Sequence, residues 1–567
     1  MSEWAISPGF ILIGAAVAMM VLPRDDRWMA LLGGPLAAFA YLWILWSGAE
    51  GEVITTSATY LGMELTPFRL DRLALIFSTV FCIAAFGGGL FALHQDNTKE
   101  LIAAYAYAGA AIGAITAGDL LTLFVFWEVM AIASGLVIWL GGPKARTAGL
   151  RYAVVHFIGG VFLMGGAAAH VAETGSAAFV AMEATSPATW LIMTAFLINA
   201  AAWPISAWLP DAYPSASWSG MVFLSAFTTK TSVYALIRGF PGEECLLWAG
   251  TAMILYGIIY ALRESDIRRI LAYAIVNQVG FMVVAVGIGT PMALDGAAMQ
   301  SFVHILYKAL LIMTAGAVLT QTGTARLQDL GGLARAMPVT AACCVVGAAT
   351  ALALPVLTVG YASKSLITSA AGYKELLIPW LAINIGAVGT VLNAGLRYPW
   401  FTFFRAVPEP IAASDPPAPM RAAMVMLAVL CVGLGPTYGL FYGLAPNGTE
   451  YSPYKLASLV VQLQMLLAAG VIFFLARRYL EPSERGMVDV DWLWRRPGRV
   501  VVNALHRAWM ATYAGMADRG LFGLRGLLAK LYRLHGPDSQ LARTRPTGYM
   551  ALWMTVLLGA FMFFSFV

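Results

Sequence analysis

The feature that most constrains this chain is a run of apolar stretches, each long enough to cross a bilayer, that continues with little relief from Ile6 to Arg478. A hydrocarbon core asks for about twenty residues of helix per crossing, and by that measure the sequence holds about sixteen spans, the last at residues 547–567. Backbone groups in hydrocarbon must be satisfied inside the segment, so a chain patterned in this way is restricted to helices. The predicted class is therefore all-α, a polytopic membrane protein. Composition agrees, with 60% hydrophobic and 11% charged residues in 567, too apolar for a soluble domain of that length. The first apolar run follows Glu3 and precedes Arg24 and Arg27. That reverses the charge order of a secretory leader. It reads as a retained span with the N-terminus on the non-cytoplasmic side of the cell membrane. This orientation gathers Lys99, Lys144, Arg146, Arg151, Arg268, Arg269, Arg326, Arg335, Arg405 and Arg421 in cytoplasmic loops, and leaves Arg69, Arg72, Arg238, Lys374 and Lys455 opposite.

Two spans are interrupted in a similar way. The seventh breaks at Pro204 and Pro210, the twelfth at Leu354-Pro355 followed by Gly360. They lie an odd number of spans apart and so run in opposite directions. Interrupted segments at corresponding places in two halves point to inverted repeats with a site near mid-membrane. The expected organisation is three spans in residues 1–98, a first five-helix repeat in 99–240, a second in 241–404, two spans in 405–478, a basic segment in 479–546 and a terminal anchor span in 547–567. In the basic segment, Arg495, Arg496, Arg499, Arg507, Arg519, Arg525, Lys530, Arg533, Arg543 and Arg545 alternate with apolar residues at mostly helical spacing. This reads as an amphipathic lateral helix along the membrane surface or across neighbouring helices. Gly515, Gly520, Gly523 and Gly526 argue against its continuity.

Ionisable side chains inside spans are costly and mark pathways or paired structural groups. Glu128, in LLTLFVFWEVMAIASGLVIW, is too deep to snorkel; it reads either as a hydrogen-bonded structural carboxyl or as a proton-exchanging group. Lys230, in SAFTTKTSVYALIRG, follows Thr228 and Thr229, whose hydroxyls could support a water chain; Lys364 stands just past the second break. Each is a candidate carrier or one half of a static ion pair. His304 and Lys308 are four residues apart, hence on one helical face, and pair an imidazole with an amine. His156 has no such companion and reads as structural. No second ligand stands at metal spacing from His304, none of the five cysteines forms a CxxC, and no GxGxxG, GxxxxGK[ST] or nucleophile elbow occurs. Neither metal nor cofactor is expected, nor a self-contained catalytic site.

The motifs FWEVM around Glu128, WLPDAYP at Trp208 to Pro214, TTKTSVYALIRG around Lys230, RRILAYAIVNQVGF at Arg268 to Phe281, HILYKALL at His304 to Leu311, LGGLARAMP at Leu330 to Pro338 and GYASK at Gly360 to Lys364 occur in one order. In that order they resemble the antiporter-like subunits shared by respiratory complex I, membrane-bound hydrogenases and Mrp-type sodium/proton antiporters, and above all the D subunits of the Mrp type. The resemblance covers about Leu101 to Phe404. It implies two inverted five-helix repeats with broken helices, and a mid-membrane polar axis occupied here by Glu128, Lys230, His304, Lys308 and Lys364. The family often places a lysine nine residues before the Trp of WLP, where this chain has Asn199, an amide that carries no charge. The implied function is an ion-translocating membrane subunit of a multisubunit monovalent cation (Na⁺)/proton antiporter, working with other membrane subunits and no nucleic acid. The alternatives are a proton-pumping subunit of a complex I-like or hydrogenase-type complex, and a structural subunit with a degenerate pathway.

Overall fold

The structure, a computed structural model, describes residues 5–60, 62–409, 411–482, 488–492, 494–536 and 547–565. Glu3, Arg543 and Arg545 lie outside them. The chain divides into two units, one ending at Val490 and one beginning at Asp491.

In the first unit every expected span coincides with a helix or a broken pair of helices. Among the described residues, ten helices are long and apolar enough to cross a membrane. The chain is a multi-pass, helical membrane protein. Short polar residues close the helix ends, where four N–H groups lack intrahelical partners. Asp71 accepts from the Ala74 N–H at 2.9 Å, Asp119 from Thr122 at 2.7 Å, and Asp266 from Arg268 at 2.8 Å. Ser186 and Thr189 form a reciprocal capping box.

One element was not expected. Between the second and third spans, Ile54–Tyr60 and Met63–Leu70 pair as an antiparallel hairpin, from Ile54 opposite Leu70 to Tyr60 opposite Met63. It explains how two spans can be divided by so little sequence at Gly118-Asp119. The Thr66 N–H donates to Asp119 Oδ2 at 3.0 Å and the Gly118 N–H to the Thr66 carbonyl at 2.9 Å. The same aspartate that caps Leu120–Trp139 is thereby held by the hairpin.

The two broken spans end their first halves in one geometry. After Pro187–Asn199, Ala201 turns left-handed (φ 59), with Ala202 N–H bonded to Leu197 O at 3.0 Å and Ala201 N–H to Ile198 O at 3.1 Å. After Pro338–Ala351, Ala353 turns left-handed (φ 59), with Leu354 N–H bonded to Ala349 O at 3.0 Å and Ala353 N–H to Thr350 O at 3.1 Å. Both are Schellman ends, built on alanine where glycine is usual. The breaks thus begin before Pro204 and Pro355, and Pro210 lies inside the short helix Trp208–Ala212. Side chains take up the freed carbonyls, as a membrane interior requires. Trp208 Nε1 donates to Ile198 O at 3.0 Å and Ser206 Oγ to Ala201 O at 2.8 Å. At the second break Lys364 Nζ donates to Ala351 O, and Gln462 Nε2 to Ala353 O at 3.1 Å. The second half, Val359–Tyr373, returns so close that a Cβ on Gly360 would stand 2.0 Å from the Thr350 carbonyl oxygen.

Ile267–Ile288 is buried along its whole length, Pro291–Thr322 along nearly all of it, and both pack beside the equally buried Gly220–Gly239. Glu244–Arg263 packs against Ile267–Ile288 through Gly250 and Gly280, where a Cβ on Gly250 would come within 2.6 Å of the Val284 nitrogen. Such small-residue seams let membrane helices approach backbone to backbone. At the end of this unit Asp489 is buried; its carboxylate accepts from Tyr256 at 2.8 Å and from Tyr273 at 2.7 Å. Nearby, Arg397 donates to the carbonyls of Leu480 and Glu264 at 2.9 and 2.6 Å.

The second unit contains one uninterrupted 37-residue helix, Arg499–His535, about 55 Å long at 1.5 Å per residue. The four glycines do not break it. Glycine costs a helix about 1 kcal/mol relative to alanine but, unlike proline, keeps its N–H in the ladder. Thr547–Ser565 forms the terminal helix.

Candidate functional site

The central helices carry the intramembrane cations. Gly220–Gly239 is divided at Phe227 into Gly220–Ala226 and Thr228–Gly239. The Thr228 N–H, released from the helical ladder, donates to the Tyr107 hydroxyl at 2.8 Å. Lys230 is fully buried and donates from Nζ to the Ser225 carbonyl at 2.7 Å, bridging this third break. His304 and Lys308 share a face of Pro291–Thr322, both buried, and neither ring nitrogen of His304 has a hydrogen-bond partner. Lys308 Nζ stands 5.8 Å from the centroid of the Tyr307 ring, and Lys364 Nζ 5.9 Å from that of Phe281.

These four groups form one buried row on neighbouring helices, since Thr228–Gly239 and Val359–Tyr373 both pack against Pro291–Thr322. No acidic group pairs with any of the three lysines in the ion pairs of the described residues.

Glu128 stands apart from this row. It is half-buried, forms none of those ion pairs, and its Oε1 has no hydrogen-bond partner. It packs on Gly160 of Ala145–Thr174, where a Cβ would lie 1.7 Å from Glu128 Oε1, while the adjacent Gly159 faces Asn199, whose Oδ1 would lie 3.4 Å from a Cβ there. Asn199 is fully buried with both amide atoms unpartnered. Lys230 holds the Ser225 carbonyl and forms no ion pair with Glu128 among the described residues. His156 lies on the same helix as the glycines, stacked on Tyr152 at 3.8 Å and edge-on to Trp208 at 4.6 Å, with Nε2 unpartnered.

Two polar networks were not anticipated. Gln278 bonds Asn277, Thr390, Gln300 and Tyr307, and Gln300 accepts from Ser363 at 2.6 Å; all are buried, and Ser363 is the residue before Lys364. A hydroxyl chain runs from Ser134 to Tyr152 at 2.8 Å, to Thr228 at 3.4 Å and to Tyr107 at 2.6 Å, and its member Thr228 stands two residues before Lys230. The amides Asn277 and Gln278, inside an otherwise apolar span, were the signal for the first. Hydroxyls are too common in spans to announce the second.

Residues 117–392, which hold Glu128 and the whole row, match the family described as NADH:quinone oxidoreductase/Mrp antiporter, TM. The D subunit of the Na⁺/H⁺ antiporter of Alkalihalophilus pseudofirmus is 30% identical over 356 residues, covering 58% of this chain and 72% of that protein. The N subunit of the NADH-quinone oxidoreductase of Desulforudis audaxviator is 30% identical over 355 residues, covering 57% and 70%. Among solved structures, a chain of the membrane-bound sulfane sulfur reductase, an archaeal respiratory membrane complex, has the same fold. Its TM-score is 0.72 at 23% identity, over 99% of this chain and 100% of that one.

Proposed function

Because the chain belongs to the NADH:quinone oxidoreductase/Mrp antiporter membrane-subunit family, we propose that it is an ion-translocating subunit of a multisubunit monovalent cation/proton antiporter. Protons move along Lys230, His304, Lys308 and Lys364, and Na⁺ is the coupled cation. The observation that carries this reading is the buried row itself, four ionisable groups on packed helices with no carboxylate paired to any of the lysines among the described residues. The Gln278–Gln300–Ser363 network supports it as a polar lining beside Lys364. On this reading residues 99–240 and 241–404 are inverted repeats, which the matching ends at Ala201 and Ala353 favour. The N-terminus faces the non-cytoplasmic side, and other membrane subunits complete the complex. Glu128 serves the first repeat with Asn199 in the place of a cation.

The test is transport by the assembled complex in proteoliposomes. Lys308→Ala and Lys364→Ala are each expected to abolish Na⁺-dependent proton movement while the complex assembles; full transport in both variants would refute the row. The likeness to a subunit of NADH-quinone oxidoreductase favours a second reading, a proton-pumping subunit of a redox-driven complex. Co-purification in mild detergent separates the two, since only the second brings down redox-cofactor subunits.

A further inference from the structure

Lys230 is fully buried, so an ion path through it needs a mouth. Its helix supplies one direction. Tyr234 and Arg238 follow at successive four-residue steps, on the face that carries Lys230. Arg238 Nε donates to the Tyr234 hydroxyl at 2.8 Å, and Arg238 Nη2 donates to both carboxylate oxygens of Asp71 at 2.8 Å. Between Lys230 and Tyr234, the Thr231 hydroxyl is buried with no partner. Beyond the ion pair opens a cavity of about 400 Å³ on the hairpin face, lined by Trp46, Asp71, Arg72, Ile237, Leu294 and Asn447. Asp71 therefore belongs at once to the cavity wall and to the helix line that leads to Lys230.

We propose that the Arg238–Asp71 ion pair is the gate of an aqueous mouth on the hairpin face, closing the path between this cavity and Lys230. The pair is built to open. Arg69 Nε also stands 3.1 Å from Asp71 Oδ2, so the carboxylate keeps a cation when Arg238 swings away. Arg238 itself is 8% exposed, at the boundary between cavity and interior. The Tyr234 hydroxyl and the free Thr231 hydroxyl then offer water the polar steps it needs towards Lys230.

This inference rests on the reading of Lys230 as part of the path, and its test is independent of transport. In the assembled complex, with the half-buried Cys245 changed to serine, a Thr231→Cys reporter is exposed to a charged methanethiosulfonate from each side of sealed vesicles. A Thr59→Cys variant identifies the hairpin side. Asp71→Asn removes the charge while asparagine retains the cap on Ala74; Arg238→Gln removes it from the other partner. Both are expected to speed modification of the reporter at least tenfold from the hairpin side. Unchanged rates in both assembled variants, or faster modification from the opposite side, would overturn the gate. Accelerated modification combined with full transport by Lys230→Ala would support the mouth and remove only Lys230 from the path.

Discussion

Gly160 leaves no room for a methyl group, because a Cβ there would stand 1.7 Å from Glu128 Oε1, whereas nothing lies within 4 Å of one on Gly165. Gly160→Ala should therefore displace the carboxylate and lower transport several-fold. Gly165→Ala should leave transport unchanged and raise stability by about 0.4–1 kcal/mol through the unfolded chain; paired transport and melting measurements decide. Asn199 makes no hydrogen bond through either amide atom, so Asn199→Ala removes none and should change transport little. Asn199→Lys gives Glu128 a cation and should shift the pH dependence of transport. A loss in Asn199→Ala as large as that in Glu128→Gln would make the amide an essential part of the path. Outside the spans, burial works to raise the Glu264 carboxyl, but Arg269, whose Nε lies 2.7 Å away, and the Ser265 and Asp266 N–H groups outweigh it and hold it below its ordinary value. A carboxyl depressed on folding adds stability above the unfolded value, near 4.3, and loses it as pH falls through the folded one. The stability difference between Glu264→Gln and the parent protein should thus be present in full at pH 7, begin to shrink as pH falls past about 4.3 and be lost only below the depressed folded value, as read by thermal melts across an acid pH series.

At the scale of elements, the three interrupted helices are held open by side chains rather than by proline alone. Trp208→Phe would remove one of the two hydrogen bonds that the Ile198 carbonyl accepts, leaving that from the Ala201 N–H, at a cost of about 0.5–1.5 kcal/mol. Ala201→Gly and Ala353→Gly would relieve left-handed alanines whose conformation costs on the order of 1–3 kcal/mol. Melting temperatures should fall in the first variant and rise in the other two; a fall in all three would show that the alanine methyls pack more favourably than their backbone strains. The spans and the buried lysines were legible because a bilayer fixes helix length and penalises charge, both of which are read locally. The hairpin was not, since its strands of seven and eight residues fall below any span criterion and its anchor, Asp119, lies about fifty residues away. The separation of Glu128 from the lysine row was equally hidden. It depends on how each helix is rotated against its neighbours.

For the whole molecule, the chain leaving Leu456–Ala476 is tied back twice before Val490, by Arg397 at Leu480 and by Tyr256 and Tyr273 at Asp489. Hydrogen bonds to a charged group contribute about 1.5–3 kcal/mol each, so Asp489→Ala should loosen this strap, seen as faster proteolysis between residues 480 and 492 with the preceding spans intact. Deleting everything after Arg478 should weaken association with partner subunits more than it weakens insertion; an unchanged complex on native gels would remove the bracing role of the long helix. Lys364 has a different importance. Its ammonium donates to the Ala351 carbonyl, the frayed end of a severed helix. On the proposed path, a proton leaving this amine would also take one N–H from the group that fastens the helix end, so the same nitrogen would serve as conductor and as latch.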